Sequence, residues 1–174
     1  VLMINKKILF LKEEIVRFMR LCQTSLEECV HGLNAQDAQK FSMIIDTYEP
    51  RANALELEVD ELCTEIIAQY EPKAKDLRAI LMFLKMSNDL ERIADHCVNI
   101  AESGQRLLQI LHTKDNVMLH RIGLATISMF NRALNAHIDQ DAALARDVCL
   151  QDSEVDSIKY EITRHLMQAM AQDN

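Results

Sequence analysis

Apolar residues recur along the chain at alternating intervals of three and four, the a/d spacing of helices that pack on one another. Five segments carry the pattern. The first reads Ile8, Leu11, Ile15, Phe18, Cys22, Ser25, Cys29 and is expected to end near Gly32. The second reads Phe41, Ile45, Tyr48, Ala52, Leu55, Val59, Leu62, Ile66. It passes through Pro50 in register, which predicts a kink rather than a break. A turn is expected at Tyr70-Glu71-Pro72-Lys73. The third segment reads Ala79, Phe83, Met86, Leu90, Ile93, Cys97, Ile100, Gly104, Leu107, Leu111. The fourth is weaker, with Leu119, Ile122, Thr126, Met129, Ala133 and His137. The fifth reads Leu144, Val148, Gln151, Val155, Ile158, Ile162 and then Ala169. Short connections between long helices make neighbours antiparallel. The expected fold is all-α, built of antiparallel helical bundles. One complete three-helix bundle covers residues 1–112, and two helices of a second bundle cover 113–174.

An internal repeat supports that division. Glu56-Leu-Glu-Val-Asp60 matches Asp152-Ser-Glu-Val-Asp156, and the flanking apolar positions stay in step. The third helix has no counterpart, because the chain stops at Asn174 still in helical pattern. It also begins Val1-Leu2-Met3, so a piece of a longer protein is expected. The seams of the fourth and fifth segments then lack a third helix. They are expected either to pair with a second copy of the chain, giving a homo-oligomer, or to pack against the first bundle.

Composition narrows the function. Three Gly and two Pro in 174 residues leave no Gly-rich phosphate loop and argue against turn-rich β folds. With 27 acids against 19 Lys and Arg, no basic stripe is available for nucleic acid. The longest apolar run, Ala79–Leu84, is far short of a membrane span. No signal peptide precedes Lys12-Glu13-Glu14, and five cysteines without a C-x-x-C motif read as reduced thiols. The expected location is the cytoplasm.

Two helices each carry an acid pair four residues apart, Glu56 with Asp60 and Glu91 with Asp95, which puts each pair on one helix face. Four such pairs occur in the chain, no more than 27 scattered acids would produce, so frequency alone says nothing. Position says more. At about 100° per residue, Glu56 and Asp60 lie roughly 80° and 120° from their seam, and Glu91 and Asp95 roughly 120° to 160° from theirs in the same sense. In an antiparallel pair such offsets fall on one side, so the four carboxylates share a flank. Asp152 and Asp156 repeat the offsets of the first pair. An all-oxygen group of this kind suits ferric iron, Mn, Mg or Ca, with Zn also accommodated; the same residues also read as a solvated acidic face. Other features carry less. Glu28-Cys-Val-His31 is a single E-x-x-H, where a ferritin-like di-iron oxidase takes two. His96 follows Asp95 and reads as a surface residue or a neighbour of ligands. Cys63 stands one turn beyond Asp60. No catalytic triad can be assembled from local motifs, so no enzyme activity is expected.

Glu71-Pro-Lys-Ala-Lys-Asp-Leu-Arg-Ala-Ile80, then Asn88-Asp-Leu-Glu-Arg-Ile-Ala-Asp-His96 and Asn99-Ile-Ala-Glu102, resemble the PhoU family. That family carries a P-x-A-x-D-L-R turn, a D-L-E-R-I-G-D-H signature and an E/D-x-x-x-D helix; Ala94 stands here where Gly is usual. The resemblance implies two three-helix bundles. It implies a cytosolic, membrane-peripheral regulator of phosphate uptake and of the phosphate-starvation response, acting with the ATPase subunit of the phosphate ABC transporter and with a sensor histidine kinase. It also implies a multinuclear iron or zinc cluster on Glu56, Asp60, Glu91 and Asp95. Asp152 and Asp156 would be half of a second site, whose other half falls on a sixth helix that this chain lacks. A PhoU-like domain of a sodium–phosphate cotransporter is the alternative.

Overall fold

The computed structural model describes residues 2–110 and 117–172. Leu111 of the third seam and the 112/113 division lie outside the described residues. Within them the chain is helical between its turns, with no strand: α1 Leu2–Ala35, α2 Ala38–Met43, a π-helical turn Ile44–Tyr48, α3 Glu49–Tyr70, α4 Lys75–Ile110, α5 Val117–Asp139 and α6 Ala142–Gln172.

The chain stays helical through Pro50, and the expected kink takes the form of the π turn that precedes it. Glu49 N–H donates to Ile44 O, five residues back. Proline has no N–H to return, and its ring presses on the carbonyl four residues earlier, here that of Asp46. The wider turn makes room for it. The extra residue per turn moves the buried position to Ile44 from the expected Ile45.

The first helix runs past Gly32 to Ala35. Its end is set by Gln36, at φ 53°. Asp37 N–H then returns to Gly32 O at 3.0 Å, and the Asp37 carboxylate accepts from Gln39 N–H at 2.9 Å. The turn from α5 to α6 repeats this arrangement. Gln140 has φ 54°, Asp141 N–H returns to Ala136 O at 2.9 Å, and Asp141 Oδ1 accepts from Ala143 and Leu144. The shared Gln-Asp-Ala in the two sequences is the visible trace of a repeat otherwise recognisable only in the acidic helices.

Helices α1, α3 and α4 form the three-helix bundle. Successive antiparallel turns make α1 and α4 parallel, and two buried thiols record their register. Cys22 Sγ donates to Leu90 O at 3.3 Å, and Cys29 Sγ to Cys97 O at 3.5 Å, both across 68 residues. The buried face of α4 lies partly one residue off the expected seam. Ile80, Ser87, Ala94 and Ala101 are buried, whereas Ile100 is 38% exposed. Three of these four, Ser87, Ala94 and Ala101, are small, and α4 packs on α1 closely enough for the Cys22 and Cys29 thiols to reach its carbonyls. Phe41 is fully buried against the same gap. A Cβ built on Gly32 would stand 2.7 Å from its ring, and one on Gly104 2.5 Å. Gly32 is therefore a seat for Phe41 rather than a helix end.

Of the two courses open to the later helices, α5 takes packing against the first bundle. It lies along α1, with Gly123 so near Val30 that a Cβ would meet Cγ2 at 2.5 Å. Among the described residues, helix α6 packs on α5 alone, through Ile158 and through the Arg121–Glu161 (2.9 Å) and Arg132–Asp147 ion pairs.

Candidate metal site on the acidic flank

Burial of the alternate positions sets the acids. Leu55 and Val59 on α3, and Leu90 and Ala94 on α4, face the core. The residue after each is turned about 100° away, toward the edge of the bundle. Glu56 and Glu91 are half-buried there, while Asp60 and Asp95 are exposed. The Glu91 carboxyl is pushed above its ordinary range. Desolvation is the first cause, followed by the charges of Asp95 and Glu56 and a hydrogen bond shared with Asp95; Arg92 opposes them. The fold thus brings Glu56, Glu91 and Asp95 into one electrostatic neighbourhood from two helices far apart in sequence. The Asp60 charge is felt instead by Cys63, whose thiol is raised to about 11, first by burial and then by that carboxylate.

Among the described residues, no three His, Cys, Asp or Glu side chains are already gathered closely enough to hold an ion. The donors are hard oxygens carrying excess negative charge, which fits a hard cation in kind; closing on one requires side-chain movement at the exposed edge. Asp152 and Asp156 stand exposed on α6, apart from the first set. Cys63 is removed from the flank: it is buried and donates to Ile80 O. Glu28 is engaged by Lys40 at 2.5 Å and His31 is exposed, so the single E-x-x-H does not project into a bundle core. His96 is also exposed, on the wall of an apolar groove of about 610 Å³ between α1, α4 and α5. No local pattern announces that groove, because it exists only where α5 lies across α1.

The fold is that of a helical-bundle protein with an acidic flank on its outer face. The profile of the PhoU domain matches residues 15–104 and 119–174. A phosphate-specific transport system accessory protein PhoU homolog of Aquifex aeolicus is 30% identical over 162 residues, 93% of this chain and 73% of that protein. PhoU of Escherichia coli is 26% identical over 170 residues, covering 98% of this chain and 70% of the relative. The crystal structure of PhoU from Pseudomonas aeruginosa superposes with a TM-score of 0.91 at 27% identity, over 97% of this chain and 81% of that one. The chain belongs to the PhoU family.

Proposed function

We propose that this chain is a non-catalytic accessory regulator of phosphate-specific transport, docking on the transporter's ATPase subunit and on a sensor kinase. The observation that carries the reading is the family match over both helical segments, joined to the likeness with the Pseudomonas aeruginosa protein along nearly the whole chain. No helix among the described residues is long and apolar enough to cross a membrane; in this reading the chain meets the transporter through a protein surface. The direct test is complementation. In a bacterium deleted for its own family member, expression of the chain is expected to restore repression of a phosphate-starvation reporter in high phosphate. A stably expressed chain that leaves the reporter derepressed contradicts the proposal.

The acidic flank supplies the regulatory element in this reading. Glu56, Glu91 and Asp95, with Asp60 at the exposed edge, take up iron or zinc, with Mg, Mn or Ca as the alternatives. Occupancy changes the charge of the flank by several units, and electrostatic complementarity then governs partner choice and on-rate. A bound cation also removes the repulsion around Glu91. At about 100 times its dissociation constant it should add roughly 2.7 kcal/mol, or roughly 5–10 °C in Tm for a chain of this size. Glu91→Gln/Asp95→Asn is expected to abolish both this increment and the metal found by elemental analysis. Equal shifts and equal metal content in the two proteins would remove the site.

A further inference from the structure

Helices α4 and α5 both pack on α1, yet among the described residues their backbones do not pack on each other. Each is seated on α1 by a close approach. On one side Cys29 Sγ donates to Cys97 O at 3.5 Å; on the other, Gly123 leaves no room for a Cβ beside Val30. The two helices therefore stand apart as fixed walls over an α1 floor, and the groove of about 610 Å³ between them does not close on itself. Its volume is that of a small-molecule site, and the space between helices is a frequent place for one. The lining is aliphatic on all three sides, with Leu26 and Val30 on α1, Ile100 and Leu107 on α4, and Leu119 and Ile122 on α5. Among the described residues no Lys, Arg, Asp or Glu side chain lines it, so a charge placed there loses hydration without gaining a partner. The polar lining residues have an order. α5 runs antiparallel to α1 and α4, and Cys29, Cys97 and Gly123 lie at one level. Thr126, His96 and Asn99 fall within about a turn of that level, whereas Leu33, Leu107 and Leu119 lie toward the other end. Among the described residues His96 and Asn99 make no side-chain hydrogen bond. Thr126 gives its hydroxyl hydrogen to Ile122 O at 2.9 Å, which leaves its oxygen able to accept.

We propose that this groove binds an uncharged single-chain amphiphile, with its hydrocarbon chain along Val30, Ile122 and Leu107 and a hydroxyl head at Asn99 and Thr126. The Asn99 amide donates to the head, and the Thr126 oxygen accepts from it. Filling the groove takes aliphatic surface out of water on three walls at once, including that of Ile100, which is 38% exposed. The occupant is a chain rather than the helix of another protein, because an amphipathic helix carries charged borders beside its apolar stripe. Asn99 and Ser103, exposed on the α4 edge, give such borders nothing to pair with.

The test uses the full chain with labelled isoleucine methyl groups, titrated with butanol, hexanol, octanol, octanoate and octylammonium while the methyl resonances are followed by NMR. Ile100 and Ile122 are assigned by the signals missing from Ile100→Val and Ile122→Val. The expected result is a saturable shift of both with the alcohols, tightening about fourfold per added methylene. Octanoate and octylammonium should both bind more weakly than octanol. Asn99→Ala is expected to weaken octanol about fivefold, the loss of one hydrogen bond. Ile100→Trp and Ser103→Trp, two changes at exposed positions on the α4 wall, fill the groove and should each weaken octanol about tenfold, read at Ile122, with the circular dichroism unchanged. Sedimentation of the same samples separates the other occupants. A dimer that Ile100→Trp dissolves, with no octanol response in the wild type, assigns the groove to a second copy and overturns the proposal. A monomer with no saturable response leaves the groove to another protein's helix and overturns it equally. Octanol binding indifferent to both tryptophan variants, or an ionic octyl compound binding as tightly as octanol, also overturns it.

Discussion

Phe41→Ala is expected to lower the free energy of unfolding by about 3–5 kcal/mol. The ring is fully buried within a small cluster with Cys29, Ile44, Cys97 and Ala101. It sits on the bare backbone of Gly32 and Gly104, which own no side chains that could move into the hole. Helices held by packing along their whole length cannot collapse locally, so the cavity term stays large. Against a typical total of roughly 5–15 kcal/mol, one such change can consume a third or more of the stability. The reciprocal change, Gly104→Ala, places a methyl group 2.5 Å from the ring and should cost about 1–3 kcal/mol as overpacking. Because both changes act on the same space, Phe41→Leu/Gly104→Ala should lose less than the sum of its singles, by more than about 0.5 kcal/mol. Urea denaturation followed by circular dichroism measures Phe41→Ala and the four proteins of the cycle: wild type, Phe41→Leu, Gly104→Ala and the double variant. Strict additivity would mean that the ring is not seated between the two glycines.

Ile158→Asp should release α6 while leaving the first bundle folded. Among the described residues, Ile158 is the buried hydrophobic residue of the 31-residue α6, and α6 packs on α5 alone. A carboxylate forced into that contact without a partner loses its hydration and gains nothing, a penalty of several kcal/mol that exceeds what two exposed ion pairs supply. The neutral truncation Ile158→Ala should cost about 2–5 kcal/mol at most, and less where the site can close. In hydrogen exchange, the aspartate variant is expected to lose protection across residues 142–172 and to keep it in α1, α3 and α4. Loss of protection in all helices together would show instead that the chain unfolds as one cooperative unit.

All four acids proposed for the cation are named by the sequence, and helical angle alone places them on one flank; the fold relates three of them electrostatically. Glu56, Glu91 and Asp95 meet because each follows a buried seam residue in an antiparallel pair, a relation that period and direction fully specify. Asp60 is less well drawn in, being exposed and felt chiefly by Cys63. Periodicity misplaced part of the α4 seam because it ranks Met86, Ile93 and Ile100 above Ser87, Ala94 and Ala101. Small residues carry little hydrophobic signal, yet they are what allow two backbones to approach. The same reason hid Phe41's seat: Gly32 reads as a helix terminator in sequence, and only the ring lying on it shows that its lack of a side chain serves packing.

The sequence by itself determined the helices, the three-helix bundle, the family and the acidic faces, because these depend on relations within a segment or between neighbours joined by short turns. Docking of α5 along α1 and the groove beside it were decided by the tertiary structure alone. They arise where surfaces distant in the chain meet, and their geometry rests on contacts such as Gly123 on Val30 that no periodicity encodes. A repeat of three or four residues tells which way a side chain points from its own helix axis; it carries no information about which other helix will be standing there.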